Sequence, residues 1–251
     1  LTDGNSFTLW APRWREGDDE WEAFLGLDED LYVLPSVAEL AAFIRTNDDN
    51  DLVEHPAWST VVGLQADELV PDERHSYDLV GVPELAAEDP TAEVIAELED
   101  ALEIVRILGE VCELTPVTKF FNGNPILGTV GGGVEAYAGR AGRKRWAEIE
   151  KIINRGWDAV IESIDEIITK PDVDSAAVEK AQAELDAPAP EPEEDEVVID
   201  DIVDTPEEAD DLAAAAEDKV LGSDEDFWAR VGIDPVRIMT SSGTFFTLRC
   251  Y

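Results

Sequence analysis

Lysine is scarce in this chain. Its 251 residues hold 18 Lys and Arg together, six of them Lys, against 59 Asp and Glu, for a formal net charge of -41. An anionic excess of this size argues against nucleic acid as a partner, because phosphate backbones are held through Lys and Arg. The same repulsion acts at anionic membrane surfaces. A basic partner or a near-neutral unfolded chain is compatible with the charge. Solubility alone, or a salt-rich host, accounts for it equally.

Histidine and cysteine are as sparse, two of each. His55 precedes a proline, His75 sits in ERHSYD, and Cys112 and Cys250 lie in unlike contexts. None of this has metal-ligand spacing, so no zinc site is expected. Two cysteines without a pairing pattern suit a reducing compartment, with both thiols buried. Methionine occurs once, at 239, and the chain opens on Leu1 and stops on Tyr251, so a piece of something longer is expected. No signal peptide is expected, and no run of 18 apolar residues occurs in this sequence, so no membrane insertion is expected either. Also missing are a Gly-x-Ser-x-Gly elbow, a phosphate loop ending in Gly-Lys-Ser or Gly-Lys-Thr, and a dinucleotide fingerprint. Carboxylates are so plentiful that pairing any two as acid and base is arbitrary. The run TNDDND lacks the ordered spacing of a calcium loop. The expectation is a protein that is not an enzyme and carries no cofactor.

What is present is enough to fold. Hydrophobic residues make up 44% and seven are Trp. The spacing predicts an α+β architecture: two long packed helices with short β-hairpins, an acidic linker and a small C-terminal helix-hairpin unit. The first long helix is expected from Pro90 or Thr91 to about Glu113, on Val94, Leu98, Ala101, Val105, Leu108 and Cys112. The second is expected from about Arg143 to Thr169, on Trp146, Ile149, Ile153, Trp157, Val160 and Ile164. Ser36 and Glu39 form a capping box ahead of a shorter helix, and another is expected from Ser175 to Leu185. Tyr77–Val82 reads as a short strand. Residues 188–211 carry twelve acidic residues and no basic one. That composition is a solvated linker, with VVIDDIV inside it as either a docked strand or a motif for a partner's sheet edge. A helix at about 206–220 follows.

The two ends of the chain echo each other. GNSFTLWAP stands at 4–12 and GTFFTLRCY at 243–251. A helix around Phe227 and Trp228, then strands Val236–Thr240 and Thr244–Tyr251 joined at Ser-Ser-Gly, would form the C-terminal unit. Trp21–Asp28 resembles Phe227–Asp234, which suggests the same helix-plus-hairpin unit in both halves. Three divisions follow: a main domain at 1–187, the linker at 188–211, and a unit at 212–251 packing back on the main domain.

The most unusual segment joins the two long helices. From Phe120 to Val134 it carries no charge, in a chain that is 31% charged. Its NGNP at 122–125 reads as a hairpin turn. The glycines that follow either allow close backbone packing or free a mobile apolar lip, in which Phe120, Phe121, Ile126, Leu127, Val130 and Tyr137 would contact an apolar partner. Beside it is the one basic cluster, Arg140, Arg143, Lys144 and Arg145. Cations at a helix start oppose its dipole. Either surplus carboxylates pair with them, or they bind an anion or acidic partner.

FWARVGIDPVRIMTSSGTFFTLRCY, the Trp146–Trp157 helix and the acidic Pro-Glu linker together resemble the actinobacterial SatS-type protein-export chaperones, some of which carry the name primosomal protein. The resemblance covers most of the chain and maps no functional residue onto it. It implies a cytoplasmic, ATP-independent chaperone with exposed hydrophobic grooves. Its partners would be unfolded or partly folded exported proteins and the accessory Sec export machinery. The alternative is a non-enzymatic assembly protein docking a basic partner through the acidic linker.

Overall fold

The structure is a computed structural model that describes residues 4–16, 19–187, 238–240 and 243–250. The expected linker, its VVIDDIV island, the helix at 206–220 and the helix around Phe227 and Trp228 lie outside the described residues. One compact unit takes in 1–186 together with 236–251.

The echo at the chain ends is a strand pair. Strand β1 (Ser6–Glu16) and the C-terminal strand run antiparallel with Phe7 opposite Arg249 and Leu9 opposite Thr247. The N-terminal hairpin is completed by β2 (Asp19–Phe24), with a register shift between Ala11 and Trp14. Then come β3 (Gly26–Leu27) and β4 (Asp30–Tyr32), joined through Asp28 and Glu29. Asp28 takes a left-handed φ of 54°, a conformation that Asp tolerates better than most residues. The likeness of Trp21–Asp28 to a helical unit therefore fails: Trp21–Phe24 is strand. A local pattern cannot reveal the partner strand whose backbone groups satisfy it.

Helix α1 (Val37–Thr46) begins as expected. Ser36 Oγ accepts from the Glu39 N–H at 3.2 Å and donates to its carboxylate at 2.8 Å. Short turns and α2 (Trp58–Val62) fill the proline-rich stretch. The strand expected at Tyr77–Val82 shrinks to β5 (Ser76–Tyr77), and Val82 opens α3 (Val82–Ala86) instead. Helix α4 (Ala92–Val111) is capped by Thr91. Between it and α6 (Gly139–Asp165) lies α5 (Thr115–Gly123), which the glycine-rich reading missed; Pro116 in its first turn was its signal. NGNP is not a hairpin turn. Asn124 Nδ2 donates to the Phe120 carbonyl at 2.7 Å and so closes α5, and Pro125 starts a 3-10 helix to Gly132. Helix α6 starts four residues early and ends at Asp165, leaving Ile168–Thr169 as β6. Helix α7 (Ser175–Leu185) matches its expected span, with Asp174 as cap.

The last two strands, β7 (Ile238–Thr240) and β8 (Gly243–Cys250), form an antiparallel pair. The larger sheet runs β2-β1-β8-β5, with β7 also on β8; the smaller runs β3-β4-β6. The architecture is α+β. One core gathers the buried faces of α4 and α6, with α3 and α5 touching both, and Leu248 of β8. A second core lies under β1, α1, α2 and α7. At the second, Arg45 of α1 grips Glu184 of α7 through two hydrogen bonds of 2.7 and 3.1 Å, and donates at 2.6 Å to the Leu64 carbonyl.

Candidate functional site

The charge-free segment is half sealed. Leu127, Val130 and Tyr137 are buried, so the open lip expected of all six apolar residues is corrected for these three. The 3-10 helix to Gly132 turns Leu127 and Val130 inward against α4, and a second at Val134–Tyr137 sets Tyr137 against α6. The Tyr137 hydroxyl shares its one proton between the carbonyls of Thr129 and Val130, at 2.8 and 3.0 Å. The Tyr137 ring meets Trp146 edge-on at 4.9 Å. A Cβ at Gly142 would collide with the Tyr137 backbone, so close packing explains that glycine. Phe120, Phe121 and Ile126 are half-buried. Phe120 lies edge-on to both Phe121 and Trp157, at 5.3 and 5.8 Å. Phe120 packs toward α6 through Trp157, and Phe121 lines a cleft on the α4 side.

Phe121, Leu127 and Val130 line a cleft of about 450 Å³ between α4 and the α5 region. Its opposite wall is α4, with Leu102 as floor and Glu99, Glu103, Arg106 and Glu110 around it. A second cleft of about 490 Å³ sits where Val80, 43% exposed, meets Trp157 and Ile161. Its rim is Asp158, Glu162, Asp165 and Glu166. The Trp157 indole is held from below by donating to the Leu79 carbonyl at 2.8 Å.

The third cleft, about 840 Å³, escaped the sequence reading altogether. Trp21 of β2, 52% exposed, stands at its edge; Phe24, Val111, Cys112, Leu114 and Ile167 form apolar floor. The β3–β4 turn supplies Asp28 and Glu29, the 3-10 turn after α1 supplies Asp51 and Glu54, and Glu113 follows α4. No Lys, Arg or His is among its described lining residues. Burial pushes the Asp51 carboxyl above its ordinary range, and the neighbouring charges of Asp28 and Glu54 add to the rise. Burial, then Asp49, Asp30, Asp51 and Asp28, raise the Tyr32 phenol nearby. Burial holds the Cys112 thiol up at about 11. The only warning in the sequence was a Trp flanked by carboxylates, DDEWEAF.

Arg140, Arg143, Lys144 and Arg145 all lie exposed on the first turns of α6. Arg145 donates to the Ala136 carbonyl at 3.3 Å. None of the four is among the described residues that line the three clefts above. Among the described residues no His, Cys, Asp or Glu group could hold a metal ion, and no helix is long and apolar enough to cross a membrane.

Comparison with known proteins gives one family. The family described as the SatS C-terminal domain matches residues 1–165. A solved structure described as the SatS C-terminal domain in complex with bromine is similar at 17% identity and a TM-score of 0.45, covering 65% of this chain and 94% of that one. No curated protein matches.

Proposed function

The chain belongs to the SatS C-terminal domain family, and from that premise we propose that it is a non-enzymatic, ATP-independent chaperone acting in the cytoplasm. Its clients would be unfolded or partly folded exported proteins, passed on to accessory Sec export. The observation that carries this reading is apolar surface set in clefts on a body of net charge -41. Burying a client's apolar side chains there gains roughly 25 cal/mol per Å² removed from water. The surrounding carboxylates keep the loaded complex soluble by mutual repulsion. Neither effect needs nucleotide or a covalent step. Within the charge-free segment, Phe121 and Ile126 are the client contacts, while Leu127, Val130 and Tyr137 support them from beneath.

The test is suppression of light scattering by a chemically unfolded exported protein, with and without ATP. Phe121→Ser should lower suppression at least about twofold, since one aromatic contact contributes on the order of 1 kcal/mol, with its melting curve little changed. ATP should have no effect. Full suppression by the folded Phe121→Ser protein would remove this segment from the binding surface. No suppression by the parent chain would end the chaperone reading.

A further inference from the structure

We propose that the cleft between β2, the β3–β4 turn and the C-terminal end of α4 binds polypeptide segments in which an apolar anchor is flanked by Lys or Arg. The inference rests on the reading of the chain as a binder of protein clients and specifies which part of a client this surface takes.

Three features lead to it. The first is shape: about 840 Å³ is room for several side chains of an extended segment. The second is the floor. Trp21 exposes 52% of its surface beside Phe24, Val111, Leu114 and Ile167, and a large aromatic next to apolar floor is the usual anchor point of a protein interface. The third is charge. Carboxylates from three separate chain regions, Asp28 and Glu29, Asp51 and Glu54, and Glu113, converge around that floor. The fold buries Asp51 here beside Asp28 and Glu54; burial first, then those two charges, raise its carboxyl, so holding it ionised there has a cost. A ligand with positive flanks relieves that cost, and one with negative flanks adds to it.

Charge also chooses among occupants. The chain's own 188–211 segment, with twelve acidic residues and no basic one, has the wrong sign. A second copy brings the Arg140–Arg145 cluster but also a net charge of -41, so long-range repulsion opposes it. A basic-flanked apolar segment of another protein satisfies floor and rim together.

The experiment uses the full chain and fluorescein-labelled ten-residue peptides with one Leu-Phe centre and Lys, Ser or Glu flanks, read by anisotropy. The Lys-flanked peptide should bind at least about tenfold more tightly than the Glu-flanked one, and lose most of that advantage at 0.5 M salt. Trp21→Ser should weaken it at least about fivefold, a plausible share of an anchor contact. Glu29→Gln with Glu54→Gln should weaken it about threefold, since exposed pairs contribute roughly 0.2–1 kcal/mol each. Val70→Ser, on exposed surface away from the cleft, should change nothing. Equal binding of Lys- and Glu-flanked peptides, or unchanged binding by folded Trp21→Ser, overturns the assignment. So does concentration-dependent self-association in sedimentation that Trp21→Ser abolishes, because the cleft would then be filled by a second copy. Loss of peptide binding with scattering suppression intact would sink this site and leave the chaperone reading standing; the reverse would do the opposite.

Discussion

Leu9 stands directly opposite Thr247 in an antiparallel pair, so the Phe-Thr-Leu phrases at the two ends of the chain lie face to face. Strand β8 is thereby interior to the sheet, between β1 and β5, and its Leu248 is 1% exposed in the core that also holds α4 and α6. Leu248→Ala should cost about 2–5 kcal/mol, the range for deleting a buried leucine side chain. Urea denaturation measures it; a loss below about 1 kcal/mol would mean that β8 is not seated there.

The Arg45–Glu184 grip should give a pH signature. Hydrogen bonding from Arg45, foremost, holds the Glu184 carboxyl below its ordinary value, and the Ala66 N–H adds to this at 3.0 Å. A carboxyl depressed in the folded state contributes stability above its unfolded pKa and loses it as pH falls through the folded one. Glu184→Gln should therefore cost about 1–3 kcal/mol at pH 7, as for hydrogen bonds to charged groups. The gap between variant and parent should close in acid, below the ordinary carboxylate range. Denaturation at pH 7 and in acid decides it: a gap of constant size would refute the depressed carboxyl.

Glycine positions separate packing from looseness. Gly142→Ala places a methyl against the Tyr137 backbone and should cost about 1–3 kcal/mol, as for overpacked cores. Gly128→Ala meets nothing within 4 Å and should change stability by less than about 0.5 kcal/mol. Melting curves of the two, run side by side, would expose an error if they shifted alike.

Both thiols should be slow. Burial pushes Cys112 up to about 11 and Cys250 to about 12, so little thiolate exists at pH 8. Ellman's reagent should label the native chain far more slowly than the urea-unfolded chain, where two thiols react. Cys250 is buried as expected and Cys112 only half-buried, so rapid labelling of both thiols in the native protein at pH 8 would contradict this placement.

Much of the fold could be read from local chemistry. The stripes of α4 and α6, the Ser36 cap of α1 and the Asp174 start of α7 depend on residues three or four apart. Apolar side chains at that spacing make one helical face whatever the rest of the chain does. The end-to-end echo likewise announced two strands. The 3-10 coil after Asn124 was less accessible, because glycines and an absence of charge are compatible with both an open lip and a close-packed turn. Contact with α4 and with the Tyr137 hydroxyl decided it.

The sequence by itself determined an acidic α+β protein with two long amphipathic helices and a strand at each end, since composition and periodicity are properties of neighbours along the chain. Only the tertiary structure decided that Leu127, Val130 and Tyr137 face inward while Trp21 faces out. It alone also set Glu54 and Glu113 around one apolar floor. Burial and like-charge proximity depend on segments far apart in sequence, and the chain must close on itself before either exists.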